Sequence, residues 1–258
     1  MADTIEAKLK GNHVQVIGDL VKDSLSIRGE EMSETQGSSG APHVLLFPGS
    51  RPAIRNLSLK WFIKVTRHVN TLIPGVRFTT LFSPFVPENE MPVWKDAGLN
   101  PVKSDTATPI GIATMAGSAM RTADYALTQP GTNTLEMMHC GLPALVAVPF
   151  DFLDVAPVSG LGRLVSRVPL LGKTIKEWKV RQSLRRFGGF LSWPNRIAGR
   201  AILDEAIGNL TPYDLAERVA ASLEDKKKLA CVRGELLKLS GEGGAASRLC
   251  DAAENAVY

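Results

Sequence analysis

The feature that most constrains the fold is a run of four apolar residues, Val44-Leu45-Leu46-Phe47, stopped by Pro48-Gly49-Ser50 and followed by a helical pattern. A strand that is apolar on both faces has no side to turn toward water. It belongs in a parallel sheet with helices covering both faces. Leu57, Trp61, Val65, His68, Val69 and Leu72 then recur at helical spacing until Pro74-Gly75 stops the helix. Val76 to Phe82 reads as a second strand, and a short helix around Trp94 ends at Gly98. A further unit follows. Ala123 to Thr128 reads as strand, Pro130-Gly131-Thr132 as turn, Asn133 to His139 as a helix closed by Gly141, and Leu142 to Val148 as strand. Strands and helices alternating in this way predict βαβ units, hence an α/β, Rossmann-like parallel sheet flanked by helices.

The flanks are simpler. Thr211 is placed to cap a helix that has Pro212 in its first turn and Leu215, Val219, Ser222 and Leu223 on its buried stripe. Helices around Lys227–Ser240 and Ala245–Ala256 follow. At the other end, Val14-Gln15-Val16-Ile17-Gly18 with Leu20 to Asp23 reads as a strand and turn. Arg28 to Pro42, rich in Gly, Ser and Glu, reads as a linker. The expected organisation is an N-terminal strand and linker segment over 1–42. One Rossmann-like domain then spans 43–258, with an insertion at about 151–192.

Two loops stand where open α/β sheets bind ligands, beyond the carboxyl ends of strands. In the first, Gly49 allows close backbone approach, and Ser50 and Arg51 can donate to phosphate. A tight turn with a solvent-facing arginine reads equally well. The second, Gln129 to Glu136, delivers Gly131, Thr132, Asn133 and Thr134 to a helix N-terminus, where free N–H groups favour anions. Glu136 can accept from ribose hydroxyls or close a capping box with Thr132 or Asn133, and spacing leaves both open. A third segment, Trp193 to Arg200, offers Asn195 and Arg196, with Asn195 also suited to a turn or helix N-cap.

Several function classes are disfavoured. There is no Gly-x-Gly-x-x-Gly fingerprint and no Gly-x-x-x-x-Gly-Lys-Ser/Thr phosphate loop. His13, His43, His68 and His139 are scattered, so no triad and no metal-ligand cluster stands out, and no cofactor is expected. Cys140, Cys231 and Cys250 have no Cys-x-x-Cys spacing, which suits reduced thiols in a cytoplasmic protein. No signal peptide is visible, and no run of about 18–20 apolar residues could span a membrane.

The net charge of +4 is unevenly placed: between Gly160 and Arg200 ten basic residues face one acidic residue, so this segment is +9 and the remainder −5. Arg163, Arg167, Trp178, Arg181, Arg185 and Arg186 belong to it, interleaved with Leu161, Leu164, Val165, Ile175, Leu184 and Phe187. A basic amphipathic stretch with aromatic residues suits an anionic membrane surface. A solvated helix pair is the plain alternative, and nucleic-acid binding is disfavoured because no recognised motif accompanies the charge.

In order, Leu45-Leu46-Phe47-Pro48-Gly49-Ser50-Arg51, Pro130-Gly131-Thr132-Asn133-Thr134-Leu135-Glu136 and Ser192-Trp193-Pro194-Asn195-Arg196-Ile197-Ala198-Gly199 resemble motifs of the lipid-A-disaccharide synthase family. These are glycosyltransferases with two Rossmann-like halves, the GT-B fold. The resemblance is to the C-terminal half and covers 43–253. Pro130 stands where the family has Ser, and Asp204-Glu205 where it has Pro-Glu. The resemblance implies that the domain binds a UDP-sugar donor, UDP-2,3-diacylglucosamine in the family. It implies Gly49, Ser50 and Arg51 at the diphosphate, Gly131, Thr132, Asn133 and Thr134 around phosphate, Glu136 at the ribose, and Asn195 and Arg196 in the same cleft. It implies metal-free sugar transfer to a lipid acceptor, in the cytoplasm or peripherally on the inner face of the cytoplasmic membrane.

In that family the acceptor and a catalytic acidic residue come mostly from the N-terminal half. The 258 residues are short for two full halves, so catalysis would need a separate acceptor-binding polypeptide or the rest of a longer gene. A non-enzymatic UDP-sugar sensor or scaffold is the alternative. An independent UDP-sugar epimerase is weaker, since epimerases also use two domains.

Overall fold

The computed structural model describes residues 15–26, 40–103, 119–155, 182 and 188–257. Six strands form one sheet: β1 (His43–Leu46), β2 (Arg77–Phe82), β3 (Pro101–Lys103), β4 (Tyr125–Thr128), β5 (Ala144–Pro149) and β6 (Asp204–Gly208). Their spatial order is β3-β2-β1-β4-β5-β6 and every pairing is parallel. The expected α/β, Rossmann-like architecture is therefore what the chain adopts. The helices are α1 (Leu20–Ser26), α2 (Pro52–Leu72), α3 (Met91–Asp96), α4 (Asn133–Cys140), α5 (Phe150–Val155), α6 (Trp193–Ala198), α7 (Pro212–Glu224), α8 (Lys226–Leu239) and α9 (Ala245–Val257).

The doubly apolar character of β1 explains the layering. Val44 and Leu46 enter a cluster with Trp61, Phe62, Val65 and Val69 of α2 and Leu215, Val219 and Leu223 of α7. Leu45 and Phe47, one residue out of phase, enter the opposite cluster with Met137 and Met138 of α4 and Leu236 of α8. The sheet is thus buried on both faces. The start of α7 is fixed as expected. Thr211 Oγ1 accepts from the Asp214 N–H at 3.2 Å, and the Asp214 carboxylate accepts from the Thr211 N–H at 2.7 Å, a complete capping box.

The structure corrects two expectations. Residues 15–19 form no strand or other regular element, and Leu20–Ser26 is helix rather than turn. Val16 is 67% exposed, and among the described residues the outermost strands are β3 and β6. The segment is lashed to the fold instead. Leu25 enters the α4 cluster. Asp23 accepts from the N–H groups of Gly244 and Ala246 at 2.6 Å each, and Arg248 donates to the Ile17 carbonyl at 2.8 Å. The strands β3 and β6, which the sequence pattern does not announce, carry no continuous apolar run. β3 is three residues long and β6 begins with Asp204-Glu205, as suits the margins of a sheet. Second, the N-cap of α6 is Ser192, so Asn195 lies inside the helix.

Phe152 of α5 packs edge-on against Trp61, with ring centroids 5.3 Å apart. Beyond α5, Arg163, Arg167, Trp178, Arg181, Arg185 and Arg186 lie outside the described residues. Among the described residues, no helix is long and apolar enough to cross a membrane.

Candidate functional site

The order of strands creates a crevice. From β1 the chain moves to α2 and then to β2 on one side. From β4 it moves to α4 and then to β5 on the other. Helices α2 and α4 cover opposite faces, so the loops that follow β1 and β4 part from one another, and ligands bind at such a switch point. A cleft of about 550 Å³ lies there, walled by the loops after β1, β2 and β4.

The β1 loop is held from both sides. Phe47 N–H donates to Leu127 O at 3.0 Å, extending the ladder to β4. Ser58 Oγ donates to Pro48 O at 3.0 Å and accepts from Gln129 Nε2 at 3.0 Å, so one α2 hydroxyl joins the β1 and β4 loops. Gly49 has φ +85°, and a Cβ there would stand 2.8 Å from Ile54 Cγ2 and 2.9 Å from Gln129 Oε1. Both the left-handed backbone and the lack of space require glycine. Arg51 follows in extended conformation at the α2 N-cap, with its side chain exposed in the cleft.

Arg55 is the residue that motif reading missed. It is 3% exposed, donates to the Ser50 carbonyl, and holds both Glu90 carboxylate oxygens, through Nε at 2.7 Å and Nη2 at 2.5 Å. This bidentate pair ties the β1 loop to the segment after β2. The hydrogen bond from Arg55 holds the Glu90 carboxyl below its ordinary range, against the opposing pull of partial burial. A signal was present in the sequence. Arg55 lies on the same helical stripe as Ser58, Phe62 and Val69, and a cation on a buried stripe demands a carboxylate.

On the β4 side, Asn133 Nδ2 donates to Thr128 Oγ1 at 2.5 Å and Thr134 Oγ1 donates to Gly131 O at 2.8 Å. Thr132 is the α4 N-cap and forms no side-chain cap bond, so the capping box open to Glu136 is not adopted there. Glu136 instead lies half-buried on the cleft wall. The N–H groups of Gly131, Thr132 and Asn133 precede the first closed turn, where a helix offers donors and positive potential to an anion. Among the described lining residues, Arg51 and Glu136 are the charged ones.

The structure thus brings Gly49, Ser50, Arg51, Gly131, Thr132, Asn133 and Glu136 around one cleft. It does not bring Thr134, Asn195 and Arg196 to it. Thr134 is fully buried, and its Oγ1 also accepts from the Trp193 N–H at 3.2 Å. Asn195 is fully buried. Its amide donates to Leu203 O and Glu205 Oε1 at 2.9 Å, and its oxygen accepts from the N–H groups of Ile202 and Leu203 at 2.8 Å. Glu205 also accepts from Ser192 and the Leu191 N–H. Arg196 stacks over the Trp193 ring at 4.2 Å. The Trp-Pro-Asn-Arg segment therefore pins β6 to the start of α4.

Neither helical histidine lines the cleft. His68 packs edge-on against Tyr213 at 5.0 Å, and His139 bonds to Asp19 and Ser240. No group of three or more His, Cys, Asp or Glu residues is placed to hold a metal among the described residues.

No protein-family model matches the sequence, and no curated protein matches it. Among solved structures, the chain is similar to a protein from Listeria monocytogenes assigned provisionally as a UDP-N-acetylglucosamine 2-epimerase. The two share 11% identity at a TM-score of 0.46, over 96% of this chain and 48% of that one. The chain spans about half the length of that structure.

Proposed function

We propose that the cleft binds a UDP-sugar and that the domain is the donor half of a glycosyltransferase resembling lipid-A-disaccharide synthase. In this reading the sugar passes from the UDP donor to a hydroxyl of a lipid acceptor, and a separate acceptor-binding half completes the site. The observation that carries it is the convergence of Arg51, the Gly131–Asn133 helix start and Glu136 on one cleft at the switch point of the sheet. A diphosphate is well held by a cation and free N–H donors, and a carboxylate can accept from both ribose hydroxyls.

Calorimetric titration with UDP tests this. Micromolar to millimolar binding is expected, weakened about tenfold or more by Arg51→Ala, because a charge-assisted contact is worth about 1.5–3 kcal/mol. No heat and no thermal shift at millimolar UDP refutes it.

The acceptor part of the reading rests on segment 151–192, whose basic excess suits an anionic membrane. Vesicles rich in anionic lipid should retain the protein at low salt and release it at high salt. A second reading, a UDP-sugar sensor without catalysis, is favoured by the composition of the cleft: its described lining residues offer Glu136 as the single carboxylate and no imidazole. Hydrolysis or transfer of a labelled UDP-sugar, absent despite tight UDP binding and presented acceptor, would select that reading.

A further inference from the structure

We infer that Phe85 is the platform for the sugar ring of the donor, aromatic face against pyranose C–H face. The inference rests on the UDP-sugar reading of the cleft and adds to it the residue that distinguishes UDP-sugar from UDP. Phe85 is 89% exposed, the most exposed large apolar side chain among the described residues, and it stands on the wall of the cleft.

Its exposure is built, not slack. Ser83 to Val86 form a tight turn closed by the Val86 N–H on the Ser83 carbonyl at 3.1 Å, with Pro84 restricting the backbone ahead of Phe85. Val86, the next residue, is 3% exposed and packs in the α2 cluster. Glu90, a turn further on, is clamped by Arg55. A braced turn therefore holds an aromatic ring in water beside a ligand-sized space. Such a ring is a preorganised contact that gains by being covered.

Sheet order locates it along the ligand. The three walls follow β2, β1 and β4, which are neighbours in that order, about 4.8 Å apart from strand to strand. The β4 wall supplies the helix start and Glu136, the β1 wall supplies Arg51, and the β2 wall supplies Phe85. With the ribose at Glu136 and the diphosphate across Arg51, the group beyond the diphosphate falls on the β2 wall. In a nucleotide sugar that group is the pyranose. Its axial C–H bonds form an apolar face that suits the negative face of an aromatic ring, while its hydroxyls remain in water at the rim.

The test titrates UDP and UDP-N-acetylglucosamine into the wild type, Phe85→Ala and Phe85→Trp. The wild type should bind the nucleotide sugar about three- to tenfold more tightly than UDP, the scale of one aromatic contact, and Phe85→Ala should remove that preference with UDP affinity held within about twofold. Phe85→Trp should restore it. Thermal melting of the variants should match the wild type, since the side chain is not part of the core. A preference that survives in Phe85→Ala overturns the inference. So does an equal loss for both ligands, which would place the uracil on the ring, or equal affinities in the wild type. Absence of UDP binding by the wild type refutes the nucleotide reading itself and this inference with it.

Discussion

His139 Nε2 lies 2.9 Å from an Asp19 carboxylate oxygen, across 120 residues of sequence. The other ring nitrogen meets Ser240 Oγ at 2.9 Å, and the imidazole is 2% exposed. One ring therefore joins the entry of α1, the last turn of α4 and the end of α8. His139→Ala should cost about 2 kcal/mol, since it removes a buried ring and its hydrogen bonds to Asp19 and Ser240. Urea unfolding measures the loss. Hydrogen exchange should show the α1 amides opening well before those of the sheet.

Gly49→Ala should disturb the cleft as well as the fold. The new Cβ would meet Ile54 and Gln129 inside 3.0 Å, at a φ of +85°. Gly75→Ala, at φ +86° with open space around it, is the control for backbone strain alone. Gly75→Ala should cost about 1 kcal/mol and Gly49→Ala about 2–3 kcal/mol. Only the Gly49 variant should lose UDP affinity. Equal stability losses with unchanged binding would show that the loop gives way without consequence.

Asn195→Ala should destabilise without acting on ligand contacts. It removes four hydrogen bonds in a fully buried site, so a loss of about 3 kcal/mol or more is expected. Where the variant folds, its UDP affinity should match the wild type under conditions that keep it native. A large drop in affinity with normal stability would place the amide at the ligand.

The Arg55–Glu90 pair makes stability depend on acid pH. The Glu90 pKa is held below its ordinary value near 4.5, so the stabilisation is complete above that value and is lost as pH falls through the folded-state value. Glu90→Gln should be less stable than the wild type at neutral pH and should lose less on acidification. Urea midpoints from neutral to acid pH, compared for the two proteins, check the sign.

His43 gives a second window. Burial first, and the Arg77 charge next, hold its imidazole below its ordinary 6.5, with Asp124 opposing. The fold therefore favours the neutral ring. Stability is full above 6.5 and declines as pH falls from there toward the lowered value. His43→Gln keeps a partner for Thr79, whose hydroxyl is 3.0 Å from Nε2, and should flatten this part of the profile.

The centre of the fold was legible in the sequence and its margins were not. Val44 to Phe47 and Tyr125 to Thr128 are apolar enough to announce buried strands, Pro74-Gly75 marks the end of the helix after the first, and Gly141 the end of the helix after the second. β3 and β6 need only half their surface covered, so polar residues are tolerated and the periodic signal fades. At the cleft, the two glycine turns could be read because they follow such strands. Asn195 misled for a physical reason: an amide suits a ligand and a buried backbone turn equally well, and only tertiary contacts reveal which one uses its four bonds. Arg55 escaped because its partner, Glu90, lies 35 residues away.

The lashing of α1 to α9 has a consequence for how the protein is made. Asp23 waits for backbone donors 221 and 223 residues downstream. At roughly 5–20 residues per second of synthesis, that is an interval of about 10–45 s. Through that interval the sheet and α2 can assemble, while the Asp23 carboxylate stays without its backbone donors. Helix α9 and the residues just before it therefore fasten α1, and a chain halted before Gly244 would retain its central strands but not that seal.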